Sequence, residues 1–304
     1  MSAPLAEFEL IRRYFSFASA SADVCLGVGD DAALLRPPPG ELLVACCDTL
    51  VAGRHFPINT AAFDIAWKAL AVNLSDLAAM AAQARWFLLA LTLPVAEDAW
   101  LRDFASGLRA LADLHAVQLV GGDTTRGPLS ITITALGSVP VGQALCRSAA
   151  RVGDDIYVSG YPGEATLALA DVLAGGDGGA LRSCLDRPQP RLQLGLALRG
   201  RAHAAIDISD GLAQDLGHLL SASGVGASVD IDALPWRQSG QRDLAAILQG
   251  GDDYELCFTW PPDQPLPATD VALQRIGRIE ARAGLRFWQG GCEVDLPQTG
   301  YQHF

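Results

Sequence analysis

Spacing of apolar and polar positions divides the chain into elements before any single residue is weighed. Apolar residues at Phe63, Trp67, Leu70, Leu74 and Leu77 step by three and four, which predicts an amphipathic helix over 63–80. Trp100, Phe104, Leu108 and Leu111 predict a second helix in the same way. Residues 86–93 (WFLLALTL) are an apolar run short enough for a buried strand, and 129–135 (LSITITA) alternates with period two, as a half-exposed strand does. A further strand over 117–120 runs into Gly121 and Gly122. The apolar runs 32–36 and 41–46 flank Pro37-Pro38-Pro39-Gly40, a break that no helix crosses, and are expected to pair as a hairpin.

Periodicity lapses over 138–154, which predicts an N-terminal domain over 1–140 and a C-terminal domain over 141–304. The second half reads as strand 155–159, helix 164–174, a Gly-rich loop at 175–179, helix 190–200, strand 203–208, helix 211–222, strand 226–231 and helix 241–249. Strands near 254–259, 271–279 and 285–288 follow. Two mixed α/β (α+β) domains in series is the economical architecture, and no repeat of regular period is visible.

Composition narrows the function. Of 304 residues, 50% are hydrophobic and 18% charged, which places the chain among folded globular proteins. With 22 Lys+Arg against 34 Asp+Glu the formal charge is -12, which repels a phosphate backbone and argues against nucleic acid as a partner. The longest apolar stretch, 77–96, is interrupted by Gln83, Arg85 and Pro94, and the N-terminal segment carries acids where a signal peptide needs bases. No membrane partner and a cytoplasmic location are therefore expected. The seven cysteines form no CxxC, so reduced and mostly buried thiols are expected rather than disulfides or a zinc site.

Acidic residues recur at the ends of apolar strands or beside glycines: GVGDDAA (27–33), LLVACCDTL (42–50), LVGGDTTRG (119–127), AIDISDGL (205–212) and GGDDYEL (250–256). One such Asp is commonly an Asx-turn or a helix cap. Five of them, expected along one sheet edge, would repel one another unless cations lay between, and hard oxygen ligands select Mg²⁺ or Mn²⁺. Asn73 and Asp76 add polar groups to the almost uncharged run NLSDLAAMAA, where a carboxylate needs a partner. Lys68, the only lysine, lies two helical turns before Asp76 and is expected to have a surface or ion-pairing role. His55 is as readily a plain loop histidine as a functional one.

The phosphate cradle GxxxxGK[ST], the kinase Gly-rich loop with its strand lysine, the nucleophile elbow GxSxG and the dinucleotide fingerprint are all absent. A protein that handles phosphates with so few ammonium groups must neutralise them through metal ions.

Taken in order, GVGDDAA, CDTLVAGRHF, KALAVNLSDLAAM, GGDTTRGP, IDISDGL and GGDDYELCF span nearly the whole chain and resemble the thiamine-monophosphate kinase family of the aminoimidazole-ribonucleotide-synthetase-like superfamily. The resemblance implies ATP- and Mg²⁺-dependent transfer of the γ-phosphoryl group directly, in line, to the phosphate of thiamine monophosphate. This is the last step in making thiamine diphosphate, and it needs no phosphoenzyme and no single catalytic base. It also implies a homodimer in which the N-terminal domains pair into a barrel-like sheet while the C-terminal domain closes over the nucleotide.

Carried over by motif, Asp31, Asp48, Asp76, Asp123 and Asp207 would hold metals, with Asp210 on a further one. Gly122, Asp123, Arg147 and Ser209 would contact the nucleotide, and His55, Asp252 and Tyr301 the thiamine substrate. Two positions depart from the family's pattern. Cys46-Cys47 replace the usual Ser-Thr before Asp48, so either backbone carbonyls take their part in metal binding or one metal is held more weakly; Asp252 replaces a Glu. Another ATP-dependent synthetase of the superfamily, of the aminoimidazole-ribonucleotide-forming type, and a non-catalytic nucleotide or metal binder are the alternatives.

Overall fold

The computed structural model describes residues 7–16, 22–237, 242–298 and 300–301. Residues 1–6 of the N-terminal segment, Gln241 at the expected start of a helix, and the residues after Tyr301 lie outside them. The chain forms two compact units, one of Met1–Leu77 with Ala82–Val141 and one of Ala78–Ala81 with Gly142–Phe304.

In the first unit a short helix α1 (Glu7–Leu10) continues as a π-helical turn (Ile11–Phe15), and β1 (Val24–Leu26) pairs with β2 (Leu34–Leu35). Four long strands, β3 (Glu41–Val51), β4 (Gln83–Leu93), β5 (Gln118–Arg126) and β6 (Ser130–Pro140), form a sheet in the order β3-β6-β4-β5. One rung of this sheet runs Asp48, Ile133, Leu89, Gly122, and the next Thr49, Thr132, Ala90, Asp123. Neighbours on a rung point to the same face. Ile131, Ile133, Ala135, Leu89 and Leu91 are therefore buried on one face, while Thr132, Thr134 and Ala90 on the other are more open. The core is completed by helices α2 (Ala62–Ala79) and α3 (Asp98–His115), whose Leu70, Leu74, Leu77, Phe104, Leu108 and Leu111 are fully buried.

The second unit holds a seven-stranded mixed sheet in the order β13-β12-β9-β11-β7-β10-β8. Its strands are β7 (Asp155–Ser159), β8 (Ala205–Asp207), β9 (Gly226–Asp230), β10 (Leu256–Trp260), β11 (Leu273–Glu280), β12 (Gly284–Gln289) and β13 (Cys292–Val294). Its helices are α4 (Glu164–Leu173), α5 (Arg182–Asp186), α6 (Leu192–Leu198), α7 (Leu212–Ser223) and α8 (Leu244–Gln249). Helix α7 inserts Leu212, Leu216, Leu219 and Leu220 into a core with Ile156, Val158, Ile206, Val229 and Phe287. All five residues of β10 are buried, which accounts for a run that is apolar save for Thr259, whose hydroxyl accepts the Ala204 N–H at 3.0 Å, in place of alternation.

Four expectations are corrected. Residues 32–36 and 41–46 do not pair: β2 bonds to β1 and β3 to β6, because the proline run turns the chain without fixing which strand follows as partner. Strand β5 runs on through Gly121-Gly122-Asp123 to Arg126. At Gly122, φ is +148° and a Cβ would meet Leu89 O at 1.8 Å, so only glycine lets β5 stay against β4 there. Helix α2 is buried over most of its surface, with Phe63, Asp64, Trp67 and Asp76 half-buried, and Lys68 is 3% exposed, so its three-four spacing marks a core helix and Lys68 is not a surface residue. Of the seven thiols, all free, only Cys257 is buried and four are exposed. Among the described residues no helix is long and apolar enough to cross a membrane.

Candidate active site

The acids do not gather along one sheet edge. Asp48 stands on β3 and Asp123 on β5, the two outer strands of the first sheet. Three strand spacings of about 4.8 Å put them roughly 14 Å apart, too far to share one ion within a chain. Alternation also turns their side chains to opposite faces.

On the β3 side, Asp48 meets Asp76 of α2. Asn73, one turn earlier on the same helix, accepts the Asp48 N–H through Oδ1 at 3.1 Å, donates through Nδ2 to Ala69 O at 3.1 Å, and is wholly buried. Its own carbonyl accepts the Cys46 thiol at 3.2 Å. Burial raises the Asp48 carboxyl above its ordinary range, against a hydrogen bond with Asp76 that lowers it. Burial, then the charges of Asp76 and Asp48, push the Cys46 thiol up, so it stays protonated and is a weak donor to a hard cation. Cys47 points to the other face, where Thr134 donates to its sulfur at 3.4 Å, so its side chain stands away from the carboxylate pair. At the end of β3, His55 Nδ1 accepts the Val51 N–H at 3.0 Å, which leaves Nε2 to carry the proton of the neutral ring.

On the β5 side, Asp30, Asp31, Gly122, Asp123 and Thr124 line one cleft of about 740 Å³, together with the apolar Leu88, Leu119 and Leu136. The structure thus brings Asp31, Gly122 and Asp123 together.

The second unit collects its own group. Asp207 ends β8, and the turn Ser209-Asp210-Gly211 leads into α7. Asp215, from the first turn of that helix, reaches back so that Oδ2 accepts the N–H groups of Ser209, Asp210 and Gly211 at 3.0, 3.0 and 3.1 Å. Burial chiefly moves its carboxyl up to about 7; the backbone donors oppose this and the charges of Asp207 and Asp210 add to it. Asp252 N–H donates to Ser209 O at 2.9 Å and Tyr301 N–H to Asp210 O at 2.9 Å, while Tyr254 donates its hydroxyl to Asp252 at 3.0 Å. Asp207, Ser209, Asp210, Asp252 and Tyr301 therefore belong to one loop cluster. Asp252 and Tyr254 both have left-handed backbone, with φ of 66° and 53°.

Asp253 between them is half-buried, accepts Gly163 N–H at 2.8 Å, and desolvation pushes its carboxyl well above the usual range. Arg147 stands apart from this cluster. Its carbonyl accepts the Ser223 hydroxyl at 2.6 Å at the C-terminal end of α7, about 18 Å along the helix from the Ser209 turn. Asp215 and Asp253 were not singled out from sequence. The signal for Asp215 is an acid in the first turn after a Gly-containing loop, where it can face back toward backbone N–H groups.

Among the described residues no three His, Cys, Asp or Glu side chains converge to enclose a cation. Carboxylates stand in pairs or on open clefts, an arrangement that leaves coordination positions for water or phosphate.

The family model for the N-terminal domain of AIR synthase related proteins matches residues 29–139, and that for their C-terminal domain matches 151–288. The thiamine-monophosphate kinase of Salmonella typhimurium strain LT2 is 47% identical over 98% of both chains. A crystal structure of thiamine-monophosphate kinase from Stenotrophomonas maltophilia K279a superimposes with a TM-score of 0.86 at 49% identity, covering 94% of this chain and 97% of that one. AaThiL complexed with AMPPCP and TMP gives a TM-score of 0.80 at 28% identity over 98% of this chain and 96% of its own. The chain belongs to the thiamine-monophosphate kinase family.

Proposed function

We propose that this protein transfers the γ-phosphoryl group of ATP to the phosphate of thiamine monophosphate, giving thiamine diphosphate and ADP. The observation that carries this reading is the near full-length identity with thiamine-monophosphate kinases, 47% over 98% of the chain.

The acceptor is a phosphate oxygen, already anionic at neutral pH, so no base has to be supplied. What the protein must do is hold two polyanions in line and offset their repulsion. Mg²⁺ fits the residues present, because it is held through one or two carboxylates with water and substrate phosphates completing its shell, and half-buried Asp48 against Asp76 is such a pair of hard oxygen donors. Asp48 and Asp76 would hold one ion, Asp31 and Asp123 would face another across the 740 Å³ cleft, and Asp207 with Asp210 would serve in the second unit. The ion supplies neutralisation of the phosphate charge that develops in transfer. For the nucleotide, Gly122 of the first unit would offer bare backbone; in the second unit the Ser209 turn would offer its hydroxyl and Arg147, apart from that turn, a cation. For the thiamine moiety, the neutral His55 ring of the first unit would offer an Nε2 donor, and Asp252 and Tyr301 of the second a carboxylate and a phenol.

We further propose a homodimer built on the first sheet, in a cytoplasmic enzyme without membrane or nucleic-acid partners. Strand β3 is an outer strand that exposes Leu42 by 53% and Leu43 by 56%, an apolar edge that pairing would cover. Incubation with ATP, Mg²⁺ and thiamine monophosphate, followed by mass spectrometry, is expected to yield equal amounts of thiamine diphosphate and ADP. Phosphate release with no thiamine diphosphate would refute the reading in favour of a synthetase.

A further inference from the structure

A carboxylate pair is useful to a metal only if both oxygens are held where the ion needs them, and the first unit contains one side chain placed to do this. Asp48 lies on an outer strand. Its N–H faces away from β6, so the sheet does not satisfy it. Asn73 Oδ1 supplies the acceptor, at 3.1 Å. The other end of the same amide is fixed, because Nδ2 donates to Ala69 O one turn back along α2 at 3.1 Å, and this pair of bonds settles which atom is oxygen. The side chain is wholly buried, so neither bond is exchanged for water. Three residues on, one helical turn, α2 presents Asp76 to the same strand residue.

Resting on the kinase reading above, we propose that Asn73 is a positioning residue: its amide clamps β3 to α2 and thereby sets the separation of the Asp48 and Asp76 carboxylates for a divalent cation. It touches neither cation nor substrate. A hydrophobic residue of similar size would fill the same space yet leave the Asp48 N–H unsatisfied and the strand free to slide against the helix. The Cys46 thiol also joins β3 to α2, at the Asn73 carbonyl and more distantly at Asn73 Oδ1, 3.2 and 3.9 Å, but it gives the Asp48 N–H no acceptor and so does not replace the clamp.

The test uses the full chain with Mn²⁺ as probe, free Mn²⁺ being read by electron paramagnetic resonance. Asn73→Leu and Asn73→Ala are compared with the unaltered protein, alongside circular dichroism and the Mg²⁺ dependence of the rate. Substitution of a residue that orients a ligand lowers metal affinity by about 10–100-fold, which is the loss expected here, with the half-saturating Mg²⁺ rising in step and the KM for thiamine monophosphate at saturating Mg²⁺ changing little. A purely structural role would lower thermal stability and leave Mn²⁺ affinity unchanged, and that result overturns the proposal. Absence of Mn²⁺ binding in the unaltered protein would instead remove the metal reading of the pair itself, and the proposal with it. Should neither variant fold, amide hydrogen exchange of the unaltered protein decides: the Asp48 N–H is expected to exchange at least about tenfold more slowly than the outward-facing N–H of Cys46, and equal rates overturn the clamp.

Discussion

The two units hold their acids by different means. In the first, Asp48 and Asp76 stand on an eleven-residue strand and an eighteen-residue helix, tied together by a buried side-chain amide and by the Cys46 thiol. In the second, Ser209 and Asp210 stand on a turn shaped by a buried carboxylate that gathers three backbone N–H groups, beside a segment with two left-handed non-glycine residues. Rigid elements place a charge with little local strain. A loop places one only if its backbone is paid for elsewhere, here by Asp215 and by the bonds from Asp252 and Tyr301 to the turn. Removing a charged group from the first unit should therefore cost catalysis, and removing the carboxylate that shapes the turn of the second should cost stability as well.

The largest effect is expected for Asp76→Asn. Turnover should fall by about a thousandfold, roughly 4 kcal/mol of lost transition-state stabilisation, while the melting temperature holds or rises because a carboxylate beside Asp48 is relieved of its charge. Rates and a melting curve on the same preparation check both halves. A large loss of stability would erase the contrast between the units.

Asp215→Ala comes next. Three backbone donors lose their acceptor, and leaving even one of them buried and unpaired costs about 1–3 kcal/mol, so urea unfolding should report a loss of at least that size together with weaker nucleotide binding. Asp215→Asn keeps an oxygen in place and should lose less.

Asp252→Gly has the opposite sign. Glycine accepts a φ of 66° without the side-chain penalty, so stability should rise by about 1 kcal/mol as the KM for the acceptor rises. Unchanged KM would take Asp252 out of the substrate site.

The smallest effect separates the units by pH. Burial lowers the pKa of His115 at the end of α3, and its Nε2 is buried with no hydrogen-bond partner among the described residues. The unfolded chain takes up a proton near pH 6.5 that the folded unit refuses. Its contribution is therefore fully present above about pH 6.5 and is lost as pH falls through that value toward the lowered one. His115→Gln should flatten the pH dependence of the first unit's unfolding between those limits; an unaltered slope would assign the acid sensitivity to other groups.

Local pattern carried the elements whose partners are adjacent or whose core face is one-sided: β6 from its alternation, α3 from its spacing, and β7 and α4 close to their observed bounds. It failed where pairing is decided at long range. Nothing near Pro37-Pro38-Pro39 states that β3 bonds to β6 some ninety residues on, and Gly121-Gly122 reads as a stop although the strand continues past it. The acids could be picked out because carboxylates beside apolar runs are conspicuous. Their division between two sheet edges depends on strand order, which periodicity does not encode, and Asp215 escaped notice because its importance lies in the backbone it binds.

On the proposed function two phosphates are brought together directly, with metal held by strand and helix carboxylates and with no covalent relay through the protein. The fate of the label from [γ-³²P]ATP with thiamine monophosphate and Mg²⁺ distinguishes this from a relayed transfer. All transferred label should appear in thiamine diphosphate, with none retained on the protein after rapid quenching; label bound to the chain, or released only as inorganic phosphate, would contradict it.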